Sequence, residues 1–386
     1  MRSNLQLAGA LIVAMSILVT LGACERQGGV APSGKIVKIG VIGPSSGEFE
    51  AMGLDGGKGL EAARELHPLL ANGDTLELVK VDNHNDPGLT GQAIRHLAQD
   101  ERLAAVMLLS TSEAALATGV VADAEEIPVL SLFATHTGVT QGHDFMSQLA
   151  FDNAFQGSVA ALFVRDELLL ERVAVIRDPG SVYSAQLADE FVRKFESIGG
   201  VITGTHPLQE DSDGYKALME SLRRLDTELL YMPVNAEHAL TIVDVAGELA
   251  WSPSMMGSDG LLASALNRRS DDAGMLEGLY ATDFVGVGMV LSDYGRRIEK
   301  VYRTRFGEPG TTYAVLGVEG YRVLRLAMNR CENPVDRECV NRMIRDTRGL
   351  EGVTGLLSIG RDGKAVRPVV VNAIRDGYME VVVKVY

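Results

Sequence analysis

The chain has 386 residues, of which 46% are hydrophobic and 23% charged, and it carries a formal net charge of −15 at pH 7. This excess of acid, without a cluster of lysine or arginine, argues against nucleic acid and anionic lipid surfaces as partners, because both select basic patches. The length is greater than one hydrophobic core usually supports and predicts two domains.

The N-terminus has the pattern of an export signal: Arg2, then a nearly unbroken apolar run from Leu7 to Leu21 that is too short to span a membrane stably. The run ends in Leu21-Gly22-Ala23-Cys24, which resembles the lipobox of bacterial lipoprotein signals. That resemblance implies removal of residues 1–23 and acylation of Cys24, with residues 24–34 as a Gly/Pro/Ser-rich tether. The alternative is a simple secretory signal with an incidental cysteine. We expect an exported protein, lipid-anchored to a bacterial membrane on its periplasmic or outer cell-surface side.

From Lys35 onward, short β-branched runs alternate with segments of helical period and length. The runs are Ile36–Ile42, Thr75–Val81, Leu103–Leu109, Ile127–Phe133, Arg172–Arg177, Gly200–His206 and Glu228–Met232. The helical segments include Gly88–Asp100, Glu113–Glu126, Ala154–Leu168, Ser184–Ile198, Tyr215–Leu225 and Glu237–Leu249. This alternation predicts parallel sheets with helices on both faces. The predicted fold class is α/β, with two doubly wound parallel-sheet lobes.

The C-terminal third changes character. Its predicted helices are Ser292–Phe306, Tyr313–Asn329 and Pro334–Arg348, and its predicted strands are Leu356–Ile359, Val366–Asn372 and Met379–Val385. The last two strands flank Asp376-Gly377, a hairpin turn signal. Besides Cys24, the chain contains two cysteines, Cys331 and Cys339. In an exported chain such a pair most simply forms a disulfide. A metal site is the competing interpretation, but no histidine lies near them in sequence.

Open α/β sheets bind ligands at the carboxyl ends of their strands, where helix N-termini offer unpaired N–H groups. The loops after the predicted strands include Gly43-Pro44-Ser45-Ser46-Gly47, Ser110-Thr111-Ser112, Ala134-Thr135-His136-Thr137, Asp178-Pro179-Gly180-Ser181-Val182-Tyr183, Pro233-Val234-Asn235 and Gly257-Ser258-Asp259-Gly260. Hydroxyls near helix starts suit a carboxylate, and a lone acid suits an ammonium. An α-amino acid carries both groups.

These loops resemble the leucine/isoleucine/valine-binding protein family, the type I periplasmic substrate-binding proteins of ABC importers. The similarity extends over nearly the whole chain after the N-terminal signal. Its motifs are Lys38-Ile39-Gly40-Val41-Ile42-Gly43-Pro44-Ser45-Ser46-Gly47, Val81-Asp82-Asn83 with Asp86-Pro87, Ile127-Pro128-Val129-Leu130-Ser131 before Ala134-Thr135, and Gly352-Val353-Thr354-Gly355. Their order and spacing, rather than any single motif, carry the resemblance.

The resemblance implies a set of ligand contacts. Ser112 and Thr135 would hold a ligand carboxylate, and the Phe133 carbonyl and Asp259 would take its ammonium. Tyr183 would close over the ligand from the second lobe.

The candidate set is completed by Ser46, Met52, His136 and Asn235. The family usually carries glutamate where this chain has Asp259, an aromatic residue where it has Met52, and a small residue where it has Phe133. The side-chain pocket is therefore expected to differ from a leucine pocket.

The implied function is a lipid-anchored component of an ABC importer that binds a small amino acid or related solute by hinge closure, without bond chemistry or a cofactor. Its partners would be a membrane permease and the solute, and the chain would be a monomer.

The predicted lobes comprise residues 35–150 with 283–354 and residues 151–282 with 355–386. We place the crossovers near Ala150–Asn153, Tyr280–Asp283 and Gly355–Gly360. The alternatives to the importer function are a sensor that signals to a membrane partner and a receptor for amides or urea.

Several residues have a second interpretation. The stretch Gly43-x-Ser45-x-Gly47 can be the nucleophile elbow of a hydrolase, with His206 or His238 as the base, but no neighbouring motif marks either histidine. A ligand-binding loop with Ser46 facing the cleft is favoured.

The stretch Asp82-Asn83-His84-Asn85-Asp86 can be a metal loop, although Asp86-Pro87 is typical of a helix start.

Three candidate ligand contacts also have a structural alternative. His136 can contact the ligand or turn towards its own loop. Asp259 can cap the following helix, and Tyr183 can pack between the two domains.

Overall fold

The computed structural model describes residues 30–208, 211–268, 276–286 and 288–386, without the side chains of residues 212, 267 and 268. The predicted signal, the lipidation site at Cys24 and the first part of the tether lie outside the described residues. Within the described ranges, no helix has the length and apolar character needed to cross a membrane.

Strands and helices alternate through most of the chain. The strands are β1 Ile36–Gly43, β2 Thr75–Asp82, β3 Leu103–Leu108, β4 Val129–Ser131, β5 Met146–Gln148, β6 Arg172–Arg177, β7 Val201–Pro207, β8 Leu229–Tyr231, β9 Ser254–Gly257, β10 Leu279–Asp283, β11 Leu350–Glu351, β12 Leu356–Ile359, β13 Ala365–Val366, β14 Val369–Arg375 and β15 Tyr378–Val385. The helices are α1 Glu50–Leu66, α2 Pro87–Leu97, α3 Ser112–Ala124, α4 Asn153–Leu162, α5 Val182–Ser197, α6 Ser212–Leu222, α7 Ala236–Glu248, α8 Leu261–Arg268, α9 Asp293–Phe306, α10 Thr312–Asn329 and α11 Arg337–Arg345. A π-helical turn, Phe163–Glu167, extends α4.

The first sheet has the order β2-β1-β3-β4-β5 and is parallel throughout. Its middle strand, β3, is buried along its whole length, as expected for a parallel strand covered on both faces. We call this sheet, with helices α1–α3 and α9–α11, the first lobe. Helix α1 packs closely on α10, since a Cβ on Gly59 would lie 2.0 Å from the Ala314 carbonyl oxygen.

The second sheet has the order β15-β14-β10-β9-β8-β6-β7. Strands β6–β10 are parallel, whereas β14 and β15 form an antiparallel hairpin. Asp376 and Gly377 make its two-residue turn with positive φ angles of 51° and 77°, as the Asp-Gly signal predicted. We call this sheet, with α4–α8, the second lobe. The α/β prediction is confirmed, although this second sheet is mixed rather than wholly parallel.

The chain passes between the two sheets after β5, after β10 and before β14. Tyr280–Asp283, which the sequence placed at a crossover, belongs to β10 and pairs with β14, so that crossover follows Asp283. A small sheet, β11-β12-β13, lies in the last connection. Cys331 and Cys339 are joined by a disulfide between α10 and α11.

Candidate ligand-binding site

A cavity of about 540 Å³ lies between the two lobes. The first lobe contributes Glu48, Phe49, Ala51, Met52, Asn85, Thr111, Ser112, Glu113, Phe133, Ala134, Thr135 and Tyr313. The second lobe contributes Asp178, Gly180, Ser181, Tyr183, Val234, Asn235, Ala236, Glu237, His238, Leu240, Asp259 and Ser264. Most of these residues follow strands or belong to the first turns of helices. The volume lies within the range of about 300–1,000 Å³ that is common for small-molecule sites.

The first-lobe wall of the cavity is formed by the start of α3. Ser112 is the first residue of this helix and is only 2% exposed. The preceding residue, Thr111, makes no side-chain cap, because its hydroxyl bonds to the Asn85 side chain instead. N–H groups of the first helical turn are therefore left without a side-chain acceptor, and the helix dipole favours an anion there.

Thr135 adds an unused hydroxyl to the same wall. It is 1% exposed, and its Oγ1 has no hydrogen-bond partner. The Ser112 hydroxyl oxygen accepts the backbone N–H of His136 at 3.3 Å, which leaves its own proton free to donate. A buried hydroxyl without a partner costs about 1–3 kcal/mol. A ligand carboxylate at this position would accept from both hydroxyls and remove that cost.

The second-lobe wall carries the carboxylate of Asp259. Its Oδ1 accepts from Gln156 Nε2 at 2.9 Å and lies 2.9 Å from the hydroxyl of Tyr183. The Tyr183 hydroxyl also lies 2.7 Å from Ser258 Oγ, so its single proton can go to only one of the two acceptors. Burial raises the pKa of Asp259, against the lowering effect of these hydrogen bonds. A ligand cation would stabilise the ionised form.

An apolar surface lies between the two polar walls. The ring of Phe133 packs edge-on against that of Tyr313, with centroids 5.1 Å apart. Phe133 occupies the space above Gly56, where a Cβ would lie 2.4 Å from the ring. Met52, in the first half of α1, lines the cavity beside them. Phe133 thus fills the space between Gly56 and the cavity and narrows the apolar part of the pocket.

Two predicted site residues do not line the cavity. The Ser46 hydroxyl donates to Asp82 Oδ2 at 2.8 Å and contacts His84 Nδ1 at 2.6 Å, so it faces the loop after β2 and not the cleft. His136 Nδ1 accepts the N–H of Gly138 at 3.0 Å, which corresponds to the loop-facing alternative. Burial lowers the pKa of His136 against the opposing effect of Glu113, which disfavours a positive charge there.

The hydrolase and metal interpretations find no matching geometry. Ser45 is exposed, and its N–H donates to Asp82, while His238 bonds to the Tyr215 hydroxyl. Asp86 caps α2 by accepting the N–H of Leu89 at 2.7 Å. No group of three or more histidines, cysteines or acids in the described ranges is arranged to hold a metal ion.

Sequence reasoning missed several residues of the cavity wall. Glu113, Glu237 and Tyr313 lie in the first turns of α3, α7 and α10. Acids in a first helical turn are usually explained by the helix dipole alone. The signal that could have found Glu113 and Glu237 is their position directly after predicted ligand loops, whereas no predicted loop precedes Tyr313. Asn235, which was predicted, lines the cavity. It is the N-cap residue of α7, but its side chain makes no capping hydrogen bond to that helix.

Hydrogen bonds join the two lobes beside the cavity. Glu113 Oε1 accepts from the Ser181 hydroxyl at 2.9 Å. The N–H of Thr137 donates to Gln186 Oε1 at 2.9 Å, and Gln186 Nε2 donates to Thr137 Oγ1 at 2.7 Å. The lobes are therefore held together by direct contacts and not only by the chain crossings.

A two-lobed α/β molecule with three crossings and a polar interlobe cavity agrees with the comparisons to known proteins. The family model for periplasmic binding proteins matches residues 36–378. This chain belongs to the periplasmic binding protein family. Within that family it is a type I protein of the branched-chain amino acid group, and family members of this kind are solute-binding proteins.

Individual relatives agree with this assignment. The Leu/Ile/Val-binding protein homolog 7 of Brucella abortus is 22% identical over 333 residues, which cover 81% of this chain and 82% of the relative. The crystal structure of the leucine-binding protein LivK of Thermotoga maritima has a TM-score of 0.83 and 26% identity, over 90% of this chain and 98% of that one. A Rhodopseudomonas palustris solute-binding protein of an ABC transporter, in complex with 3,4-dihydroxybenzoic acid, has a TM-score of 0.80 and 17% identity, over 91% of this chain and 97% of that one.

Proposed function

We propose that this chain is the lipid-anchored, extracytoplasmic solute-binding component of an ABC importer, and that it captures an α-amino acid in the cleft between its lobes. The observation that carries the proposal is the pairing of the unpartnered Thr135 hydroxyl on one wall with the Asp259 carboxylate on the other. A carboxylate and an ammonium on one carbon match these two walls. The leucine-binding relative supports the same ligand class.

The ligand carboxylate lies at the start of α3 in this proposal. The hydroxyls of Ser112 and Thr135 donate to it, and the free N–H groups of the first helical turn add the helix dipole. Hydrogen bonds to a charged group contribute about 1.5–3 kcal/mol each. This wall belongs wholly to the first lobe, so the carboxylate binds there before closure.

The ligand ammonium donates to Asp259 and to the Phe133 carbonyl. Because Asp259 belongs to the second lobe, the ammonium contact forms only when the lobes approach. A ligand that touches both lobes binds the closed state better than the open state and shifts the population towards it. Tyr183 stands over the ligand and supports Asp259 through its hydroxyl.

Anchoring and the transport partner follow from the N-terminal segment and the family. An acylated Cys24 would hold the folded body at the membrane through residues 24–34, beside a permease that receives the solute. The lobe arrangement we propose is the predicted division into residues 35–150 with 283–354 and residues 151–282 with 355–386, except that Asp283 ends β10 and so belongs to the second lobe. Metabolic labelling with palmitate tests the anchor: Cys24→Ser is expected to abolish the label and release the protein from the membrane fraction.

Calorimetric titration with a panel of amino acids, short amides, urea and aromatic acids tests the binding function. The chain from Glu25 onward keeps every described residue. We expect at least one amino acid to bind with micromolar affinity, and the double variant Ser112→Ala with Thr135→Ala to lose at least about 100-fold, as two charge-assisted hydrogen bonds imply. A variant with Ser197→Ala and Thr304→Ala, both exposed and outside the cavity, is the matched control. Binding of amides or urea alone would support a solute-binding function but would overturn the assignment of Ser112 and Thr135 to a ligand carboxylate.

A further inference from the structure

The cavity between the lobes is lined by an excess of negative charge. Five lining residues are acids, namely Glu48, Glu113, Asp178, Glu237 and Asp259, and none of the lining residues that the structure describes is lysine or arginine. Two of the acids belong to the first lobe and three to the second. A zwitterionic aliphatic amino acid has one positive charge and would need only one of them.

The protein itself does not neutralise these carboxylates. In the described part of the chain none of the five forms an ion pair, whereas elsewhere acids such as Glu61 do, here with Lys80 at 2.8 Å. Glu48 and Glu237 are exposed to the cavity solvent. Glu113 accepts from a neutral donor, the Ser181 hydroxyl. The negative charge of the cavity is therefore available to a ligand.

Closure of the lobes concentrates this charge. Acids on both walls approach one another as water leaves the cleft, and like charges repel more strongly when less water screens them. A neutral ligand leaves that repulsion in place. A ligand with a surplus of positive charge converts it into attraction.

A second feature favours a ligand that also carries an anionic group. The Thr135 hydroxyl is buried, lines the cavity and lacks a partner, and it lies beside the uncapped start of α3. Hydroxyl donors and a helix N-terminus suit a carboxylate. The wall chemistry thus favours a solute with one carboxylate and more than one cationic group.

We propose, as an extension of the amino-acid-binding function above, that the solute is an α-amino acid with a positively charged side chain. Its head group contacts Ser112, Thr135 and Asp259, its methylenes lie along Met52 and Leu240, and its terminal cation is stabilised by Glu48, Asp178 and Glu237. An aromatic acid of the kind bound by the Rhodopseudomonas palustris relative is disfavoured, because its single negative charge would meet the five carboxylates without a cation.

Calorimetric titration of the chain from Glu25 onward with L-lysine, L-arginine and L-leucine tests this inference. We expect lysine or arginine to bind at least tenfold more tightly than leucine at low salt. The double variant Glu48→Gln with Glu237→Gln should weaken binding of the cationic amino acid by about fivefold, since each exposed charge contributes modestly. Its effect on leucine binding should be smaller than its effect on binding of the cationic amino acid. The control is Glu101→Gln with Glu220→Gln, which changes the net charge equally at exposed positions outside the cavity.

The outcomes separate the two proposals. Leucine binding that equals or exceeds binding of both cationic amino acids would overturn the inference and keep the amino-acid-binding function. Equal loss of lysine affinity in the cavity variant and the control would also overturn it, because the effect would then come from net charge. If no amino acid of either kind binds, both proposals fail.

Discussion

Thr137 and Gln186 hydrogen-bond to each other in both directions across the cleft, the Thr137 N–H to Gln186 Oε1 at 2.9 Å and Gln186 Nε2 to Thr137 Oγ1 at 2.7 Å. Thr137 lies in the loop after β4 of the first lobe, and Gln186 lies in α5 of the second. Asn153 Nδ2 also donates to Gln186 Oε1, at 3.1 Å. The pair therefore fixes the relative position of the lobes beside the cavity.

Substitution Gln186→Ala should weaken ligand binding by up to about 30-fold, because two neutral hydrogen bonds of about 1 kcal/mol each no longer stabilise the closed state. Small-angle scattering should show a larger radius of gyration for the ligand-free variant than for the wild type. Gln92→Ala, an exposed change in α2, is the control. Unchanged affinity and size would show that this pair does not contribute to closure.

Substitution Asp259→Asn should reduce affinity for an amino acid by about 10- to 100-fold, because it replaces a charge-assisted hydrogen bond with a neutral one. An asparagine keeps the shape and an acceptor for Gln156 and Tyr183. Titration calorimetry measures the loss, with Asp213→Asn in α6 as the exposed control. Equal affinity of the Asp259 variant and the wild type would place the ammonium elsewhere.

Asp283 should make stability depend on pH. Burial raises its pKa to about 7, although Thr312 Oγ1 donates to it at 2.6 Å. The folded protein then keeps a proton that the unfolded chain releases near pH 4, so the contribution of Asp283 to stability is greatest below that pH and falls as pH rises towards 7. One such group contributes at most about 1.4 kcal/mol per pH unit. Urea unfolding of Asp283→Asn should show a flatter profile between pH 5 and 7, and an equally steep one would refute the assignment.

Glu319 and Arg367 form a buried ion pair at 2.9 Å, with side chains only 2% and 3% exposed. It joins α10 to the segment before β14, beside the last chain crossing. Glu319→Gln should lower the free energy of unfolding by about 3–5 kcal/mol, because it leaves the Arg367 charge buried without a counter-ion. Adding Arg367→Met should recover part of that loss in urea denaturation. A double variant as unstable as the sum of the singles would show that the pair is not coupled.

Local signals in the sequence predicted many elements of the fold. Asp86-Pro87 marks the start of α2, and Asp376-Gly377 makes the β14–β15 turn, because caps and hairpin turns depend on neighbouring residues. Helix α1 was not among the predicted helices, since its four glycines lower helical propensity. Those glycines include Gly59, which is needed for close packing against α10. Such packing is a tertiary requirement that no local window contains.

The candidate site was predictable in its position and only partly in its residues. Loops after strands identified Ser112, Thr135 and Asp259 as candidates, and the structure places all three on one cavity. Ser46 and His136 were expected there as well, but partners in the fold turn them away. The orientation of Glu113 and Glu237 depends on which side of each helix faces the other lobe. The roles of these residues and the lobe boundaries remain predictions.

A crystal structure of the chain grown with its tightest-binding amino acid tests the central claim most directly. We expect the amino acid between the two lobes, with its carboxylate within hydrogen-bond distance of the Ser112 and Thr135 hydroxyls and its ammonium against Asp259. A ligand bound outside this cleft, or bound there with the ammonium at the start of α3, would contradict the account.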